Sequence, residues 1–158
     1  MKKLFFIIGI LFLSISVQAQ KQKVDVSKDN KILVDGTEIA TIEKDGCGFG
    51  ATCNFYIRNS EGKTLVTLMM QDFYDPTEIS QANPKGRVIY LRLSFADEKG
   101  VAEVPSPMLN VKSVAKIVVK ARLIKDNELD DVEVRNFIQA NGTRYSDRQN
   151  RQQTIIIR

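Results

Sequence analysis

Histidine is absent from all 158 residues of the sequence. Histidine is the base of Ser-His-Asp and Cys-His nucleophile systems and a ligand in most catalytic zinc sites, so its absence excludes those enzyme designs. A Ser-Lys pair or two carboxylates would still permit catalysis, but no recognisable motif surrounds any serine or acidic residue. The sequence therefore predicts no catalytic residue, no metal site and no cofactor.

Only the N-terminus has a long apolar run, from Leu4 to Leu13. The run follows two lysines and precedes small and polar residues that end at Ala19, which is the three-part pattern of a secretory signal peptide. It is too short to span a bilayer, since a spanning helix needs about 20 apolar residues. We therefore predict a signal peptide over residues 1–19 and an exported protein of the periplasm or cell surface, without a transmembrane segment after cleavage. An uncleaved anchor is the alternative.

Cysteine is scarce, with only Cys47 and Cys53 on either side of a Gly-rich segment. An even number of cysteines in an exported chain favours a disulfide between them. The alternative is a redox-active dithiol, but such sites usually have a Cys-x-x-Cys pair at the start of a helix, and this spacing differs. The sequence predicts one structural disulfide.

Charge of either sign is nearly balanced once the signal peptide is removed, with 21 basic residues against 19 acidic ones. The excess lies in residues 143–158, which have a net charge of +3, whereas residues 20–142 have a net charge of −1. Nucleic-acid-binding domains have a basic face on the folded body, so we expect no nucleic-acid partner. The prediction is a single α+β domain over residues 20–142, followed by a basic C-terminal tail over residues 143–158.

Turn signals divide most of the domain into strands. Asp35-Gly36 is a strong hairpin signal, and Glu61-Gly62 repeats its pattern further along the chain. Alternation of apolar and polar residues from Arg87 to Phe95 predicts the clearest strand. Strands, about six in all, are predicted within residues 31–44, 54–59, 64–70, 87–95 and 101–104.

The stretch over residues 110–142 predicts two helices. In its first half, apolar residues recur at helical spacing, although they also alternate as in a strand. The second half favours helices because Asp130 and Glu133 have the spacing of a capping box, and Gly142 is suited to end a helix. Residues 126–129 are predicted to connect the helices, and Asn110 to cap the first. The predicted fold is α+β, an antiparallel β-meander with a C-terminal helical hairpin packed on one face.

The loop over residues 71–86 is long for a plain connection, which makes it a candidate binding surface. Asp72, Asp75 and Glu78 in this loop are hard oxygen donors of the kind that calcium prefers. Their spacing is not that of an EF-hand loop, so turn and solvation roles are favoured over a calcium site.

Two groups of residues are candidates for contact with a partner. Val119 and Leu123 interrupt the lysine-rich face of the first helix and indicate a contact with another element or chain. In the tail, the arginines carry the positive charge, and the β-branched residues at its end indicate a strand that joins a sheet edge, here or in a partner. Disorder is the alternative for the tail, because its composition buries little apolar surface. The tail candidates are Arg144, Arg148, Arg151, Ile155, Ile156 and Ile157.

The combination of a signal peptide, Asp-Gly hairpins of the Val34–Ile42 kind, the strand Ile89–Phe95 and the helical hairpin Ser113–Ile138 resembles small exported proteins of unknown function from Gram-negative bacteria. The resemblance implies a location in the cell envelope and brings no activity or site. Together with the missing motifs, it predicts an exported non-catalytic binding or structural module, whose partner is a protein or an anionic envelope surface. The alternative is a His-independent enzyme that uses carboxylates or thiols.

Overall fold

The computed structural model describes residues 22–47, 53–106 and 110–156, except for the side chains of residues 153–156. The predicted signal peptide lies outside the described residues. Seven strands form one sheet, in which each strand pairs antiparallel with the next along the chain. The predicted meander is therefore confirmed, with one strand more than expected. The strands are β1 (Val24–Val26), β2 (Lys31–Val34), β3 (Thr37–Asp45), β4 (Asn54–Arg58), β5 (Thr64–Tyr74), β6 (Arg87–Phe95) and β7 (Gly100–Pro105).

The turns that join the first strands follow their residue types. Asp35 and Gly36 both have positive φ, 51° and 88°, as the tight β2–β3 turn requires. At the β4–β5 turn, the side-chain oxygen of Asn59 accepts the backbone N–H groups of Glu61 and Lys63 at 3.1 and 2.9 Å. Both turns are thus stabilised by residues within the turn itself.

One face of the sheet forms the apolar core. Phe55, Leu68 and Leu93 lie side by side across β4, β5 and β6, and all three are fully buried. Two helices cover this face, α1 (Val111–Lys120) against β1 and β3, and α2 (Asp131–Asn141) against β7. This confirms the predicted α+β fold with helices on the sheet.

Both predicted helix caps are present. The Asn110 side chain accepts the N–H of Ser113 at 2.8 Å, and the Asp130 side chain accepts those of Val132 and Glu133. The reciprocal half of the expected capping box does not form, because the N–H of Asp130 donates to the carbonyl of Leu123 instead. The connection between the helices is also more regular than predicted. It contains a two-stranded ribbon of β8 (Ile124–Lys125) and β9 (Glu128–Leu129).

The tail forms a third helix, α3 (Arg144–Ile156), so the prediction of a terminal strand, with disorder as its alternative, is wrong through Ile156. The chain turns at Gly142, where φ is 54° and ψ is −150°, a conformation that residues with a Cβ rarely adopt. The carbonyl of Gly142 accepts the N–H of Glu103 on the outer edge of β7 at 2.9 Å. From there the chain passes to the second face of the sheet, where Tyr145 stacks on Tyr90 at 4.9 Å between ring centroids.

The strand prediction rests on the β-branched residues at the chain end, whereas the helix is determined by residues at the start of the segment. Thr143, just before α3, donates its hydroxyl to Asp147 at 3.1 Å, a side-chain pair of the kind found at helix starts. The other contacts of the first turn of α3 are with residues of the sheet. The isoleucines at the end of the chain do not indicate these contacts. Ile157 lies outside the described residues.

Candidate functional site on helix α3

A carboxylate of the sheet caps the start of α3. Glu103 in β7 is fully buried, and its Oε2 accepts the backbone N–H groups of Tyr145 and Ser146 at 2.9 and 3.0 Å. Its Oε1 accepts the Ser146 hydroxyl. The first N–H groups of a helix have no partner within the helix and carry partial positive charge, so an anion placed there is stabilised. Glu103 thereby fixes the position of α3 on the sheet.

Two neighbours on β6 complete the surroundings of Glu103. Arg92 lies opposite Glu103 in the β6–β7 pairing, with Nη1 3.5 Å from the carboxylate and 3.3 Å from the Ser146 hydroxyl. The Tyr90 hydroxyl lies 3.4 Å from the same Ser146 oxygen. A buried charge is tolerated when a counter-charge and hydrogen bonds accompany it, and Glu103 has both.

A second buried carboxylate holds α3 one turn further on. Asp75 is only 1% exposed, and the Arg148 Nε contacts its Oδ2. Thr77 donates both its N–H and its hydroxyl to Asp75 Oδ1, at 2.8 and 2.7 Å. Burial raises the pKa of Asp75, but the hydrogen bonds from Thr77 and the Arg148 guanidinium outweigh that effect and hold the pKa below its ordinary value. Asp75 is therefore ionised at neutral pH.

The loop that carries Asp75 is closed at its base by backbone contacts. The N–H of Asp75 donates to the carbonyl of Gly86 at 2.8 Å. Gly86 has φ of 64°, and a Cβ at this position would lie 2.2 Å from the Asp75 carbonyl oxygen. Only glycine fits there without a shift of the backbone. The short 3-10 helix Pro76–Glu78 follows Asp75 and contacts α3 through Thr77 and Glu78.

The three acids predicted for this loop form ion pairs, but Asp72 lies in β5, which continues to Tyr74, so the loop begins later than predicted. Asp72 binds Arg87 at 2.8 Å. Glu78 binds Arg148 at 2.8 Å, and Asp75 contacts the same guanidinium. Asp75 also caps the 3-10 helix, which is the turn role that the sequence favours. Within the described residues, no group of acids or cysteines is arranged to hold a metal ion.

Three predicted interaction residues lie together on one side of α3. Arg144, Arg148 and Arg151 recur at helical spacing, and with Tyr145 and Pro105 they line a shallow depression of about 460 Å³. We call these three arginines the arginine face. Arg148 is held by Asp75 and Glu78, whereas no carboxylate of the described residues contacts Arg144 or Arg151. The Arg144 guanidinium lies 5.1 Å from the centroid of the Tyr145 ring, a cation–π contact that keeps it near the helix.

The other predicted interaction residues, in and just after α1, are buried. Val119 is 6% exposed and Leu123 is fully buried, both in the core of the sheet. The element contact that their pattern indicates is internal. Leu123 has no exposed surface for another chain, so its proposed role there is wrong, whereas Val119 also lines an open depression and its role stays a prediction. Arg122 adopts φ of 51°, and the N–H of Leu123 returns to the carbonyl of Val118 at 3.1 Å, which turns Leu123 inward. Ile155 and Ile156 belong to the described backbone of α3, but their side chains lie outside the described set.

The predicted disulfide is confirmed. Cys47 and Cys53 are bonded through their sulfurs, with Cα atoms 4.5 Å apart. The bridge links the end of β3 to the start of β4, and Cys53 is buried in the core. It therefore joins the two chain segments just beyond the last residue pair of β3 and β4.

Glu103, Asp75 and Tyr90 were not predicted from the sequence as contacts of α3. Glu103 offers a usable signal, because it interrupts the apolar segment Gly100–Pro105 in the middle of a strand. A charge in such a position is seldom left without a partner. The partner itself is 42 residues away in the chain, beyond what local pattern reveals.

Two further depressions lie beside the β8–β9 ribbon. They measure about 580 and 430 Å³ and share Ile39 and Ile124 in their lining. Both open broadly to solvent, and neither Glu103 nor Asp75 lines them. They are grooves between hairpins and offer no buried acid or base.

None of the described helices is long and apolar enough to cross a membrane. Comparisons with protein-family models, with curated proteins and with solved structures found no match. The function of this chain must therefore be inferred from its own residues and from the geometry of α3.

Proposed function

We propose that the protein is an exported, non-catalytic binding module of the periplasm or cell surface, and that the arginine face of α3 is its contact surface. The observation that carries the proposal is the placement of Arg144, Arg148 and Arg151 on one side of a helix that two buried carboxylates hold against the sheet. Positive charge on an ordered helix is available to a partner without the entropy cost of ordering a tail. The surface is thus prepared for binding before a partner arrives.

The proposed export has two supports. The N-terminal residues have the pattern of a signal peptide, and the Cys47–Cys53 disulfide is the kind of bond that persists in an oxidising compartment. Residues 20–142 have a net charge of −1, so the net positive charge of the mature chain comes from residues 143–158. Within α3, Arg144 and Arg151 are the arginines without a carboxylate contact among the described residues, and they would attract a partner with negative charge.

The alternative of a His-independent enzyme finds little in the described residues to support it. Glu103 and Asp75 are buried carboxylates, but each accepts hydrogen bonds from neighbouring residues and is paired with an arginine. A general acid or base needs a pKa near neutrality and room for a substrate, whereas the pKa of Asp75 is lowered. We therefore do not propose a catalytic role for either.

The test is capture of binding partners from the native envelope with the mature, oxidised protein, residues 20–158. The wild type is compared with the double variant R144Q/R151Q, in which the two substituted arginines have no carboxylate contact in the described structure. We expect a specific partner that untagged protein displaces and that the double variant retains less well at low salt. Absence of any displaceable partner would contradict the binding function itself.

A further inference from the structure

Arg148 of the arginine face already binds carboxylates of the same chain, which indicates the kind of group that this surface can bind. Its guanidinium donates to the Glu78 carboxylate at 2.8 Å and to the Thr77 hydroxyl at 2.9 Å, while its Nε contacts Asp75. Arginine has a planar fork of donors that matches a carboxylate. Arg148, which lines the depression, thus binds two acids of the loop between β5 and β6.

The two flanking arginines have the same guanidinium group as Arg148 but no carboxylate partner among the described residues. Arg144 and Arg151 are seven residues apart, so they are separated by about 10 Å along the helix axis, with Arg148 between them. Neither contacts a carboxylate in the part of the chain that the structure describes. Among the described residues, the arginine face therefore has one arginine paired with acids between two that are not.

The paired position is open to exchange. The Glu78 side chain is 47% exposed, whereas Asp75 beside it is buried. Exposed ion pairs contribute little net stability, so another carboxylate can replace Glu78 on Arg148 while Asp75 continues to hold the helix. Displacement of Glu78 would keep the Asp75–Arg148 contact and free the Nη2 of Arg148 to bind another carboxylate.

We propose that the arginine face binds an acidic polypeptide segment and that Glu78 occupies one carboxylate position of that site in the free protein. This inference rests on the proposed function and specifies its partner. A polypeptide is favoured over a membrane because Glu78 and Asp147 lie among the arginines, where a continuous anionic surface would face their negative charges. Pro105 lines the same depression, is exposed, and offers its ring to the apolar parts of a peptide.

The experiment measures the affinity of the mature protein for a synthetic peptide of alternating Glu and Ala at low salt. We expect R144Q/R151Q to bind about fivefold to tenfold more weakly, as for the loss of two exposed ion pairs. The matched control is K116Q/K120Q, which removes two exposed lysines from α1 on the opposite face of the sheet. We expect that control to change the affinity by less than about twofold.

A second pair of variants tests the role of Glu78. We expect E78Q to bind the peptide about twofold to threefold more tightly, because Arg148 loses its competing carboxylate. D147N removes the same charge from α3 without touching Arg148, since the Asp147 carboxylate contacts Thr143. Equal gains for E78Q and D147N would reduce the effect to net charge and overturn the competition.

Two outcomes overturn the partner class. One is equal weakening by the arginine and lysine pairs. The other is tighter, arginine-dependent binding to vesicles of phosphatidylglycerol than to the peptide. If R144Q/R151Q captures a displaceable partner from the envelope as well as the wild type does, the arginine face is not the contact surface and this inference fails, whereas the protein is still a binding module.

Discussion

The Glu103 carboxylate in the middle of β7 accepts the backbone N–H of Tyr145, the second residue of α3, at 2.9 Å. The residue that caps this helix therefore comes from the sheet and not from the chain before the helix. An N-cap residue usually lies one position before its helix, and its side-chain oxygen accepts hydrogen bonds from the first backbone N–H groups. Glu103 accepts the corresponding hydrogen bonds in α3. The stability of α3 and that of the sheet edge are consequently coupled through one side chain.

Replacement of Glu103 tests that coupling. Glu103→Gln keeps the shape but removes the charge opposite Arg92 and weakens the acceptor for two N–H groups. We expect a loss of about 2 kcal/mol in the free energy of unfolding, the cost typical of a disrupted buried charged hydrogen bond. Urea denaturation followed by circular dichroism provides the measurement. Glu43→Gln breaks only the exposed pair with Arg58 and should cost less than about 1 kcal/mol.

The buried Asp75 predicts how stability depends on pH. Hydrogen bonds from Thr77 and the charge of Arg148 outweigh burial, so the folded-state pKa lies below the ordinary value of 3.8. A carboxyl group with a lowered folded pKa stabilises the fold above its unfolded pKa, and this contribution is lost as the pH falls through the folded pKa. We expect the wild-type melting temperature to fall steeply below about pH 4. In Asp75→Asn the curve should be flatter in that range, and an unchanged slope would contradict the assignment.

Gly86 predicts a local effect that can be separated from ordinary backbone strain. A Cβ in Gly86→Ala would lie 2.2 Å from the Asp75 carbonyl oxygen, at φ of 64°. Gly36→Ala is the control, because Gly36 has φ of 88° but a Cβ there would have no described atom within 4 Å. The control should cost about 1 kcal/mol through φ alone. Thermal unfolding should show a distinctly larger loss for Gly86→Ala, since the backbone of the loop must move.

The extent to which sequence predicts this structure depends on how local each determinant is. The Asp35-Gly36 turn and the Asn110 and Asp130 caps are set by residues within a few positions, and all three follow from the sequence. The position of α3 depends on Glu103 and Asp75, which lie 42 and 73 residues from the groups they bind. Such long-range partners leave no periodic signal.

The same distinction explains the candidate site. The three arginines at positions 144, 148 and 151 are evident from tail composition, and the structure brings them onto one side of a helix. The ion pairs of Arg148 with Asp75 and Glu78 are not evident, because the loop residues read locally as turn formers. The ion pairs of Arg148 can therefore be identified only from the tertiary structure.

Truncation of the tail tests whether α3 belongs to the folded unit. Removal of residues 143–158 would take away the Tyr145 ring from Tyr90 and all the α3 donors from Glu103. It would also leave the buried Asp75 without Arg148. Breaking a buried ion pair by removal of one partner is strongly destabilising, and small domains have little stability to spare. We expect the protein truncated after Gly142 to unfold or aggregate.

A shorter truncation provides the matched control. Removal of residues 153–158 leaves Glu103, Asp75 and their described partners on α3 in place. We therefore expect the protein truncated after Gln152 to fold, with a melting temperature within a few degrees of the full mature chain. Cooperative thermal unfolding and a monodisperse elution profile are the measurements. A chain truncated after Gly142 that unfolds at the wild-type temperature would show that α3 adds nothing to the fold, and its contacts with Glu103 and Asp75 would then have no net stabilising effect.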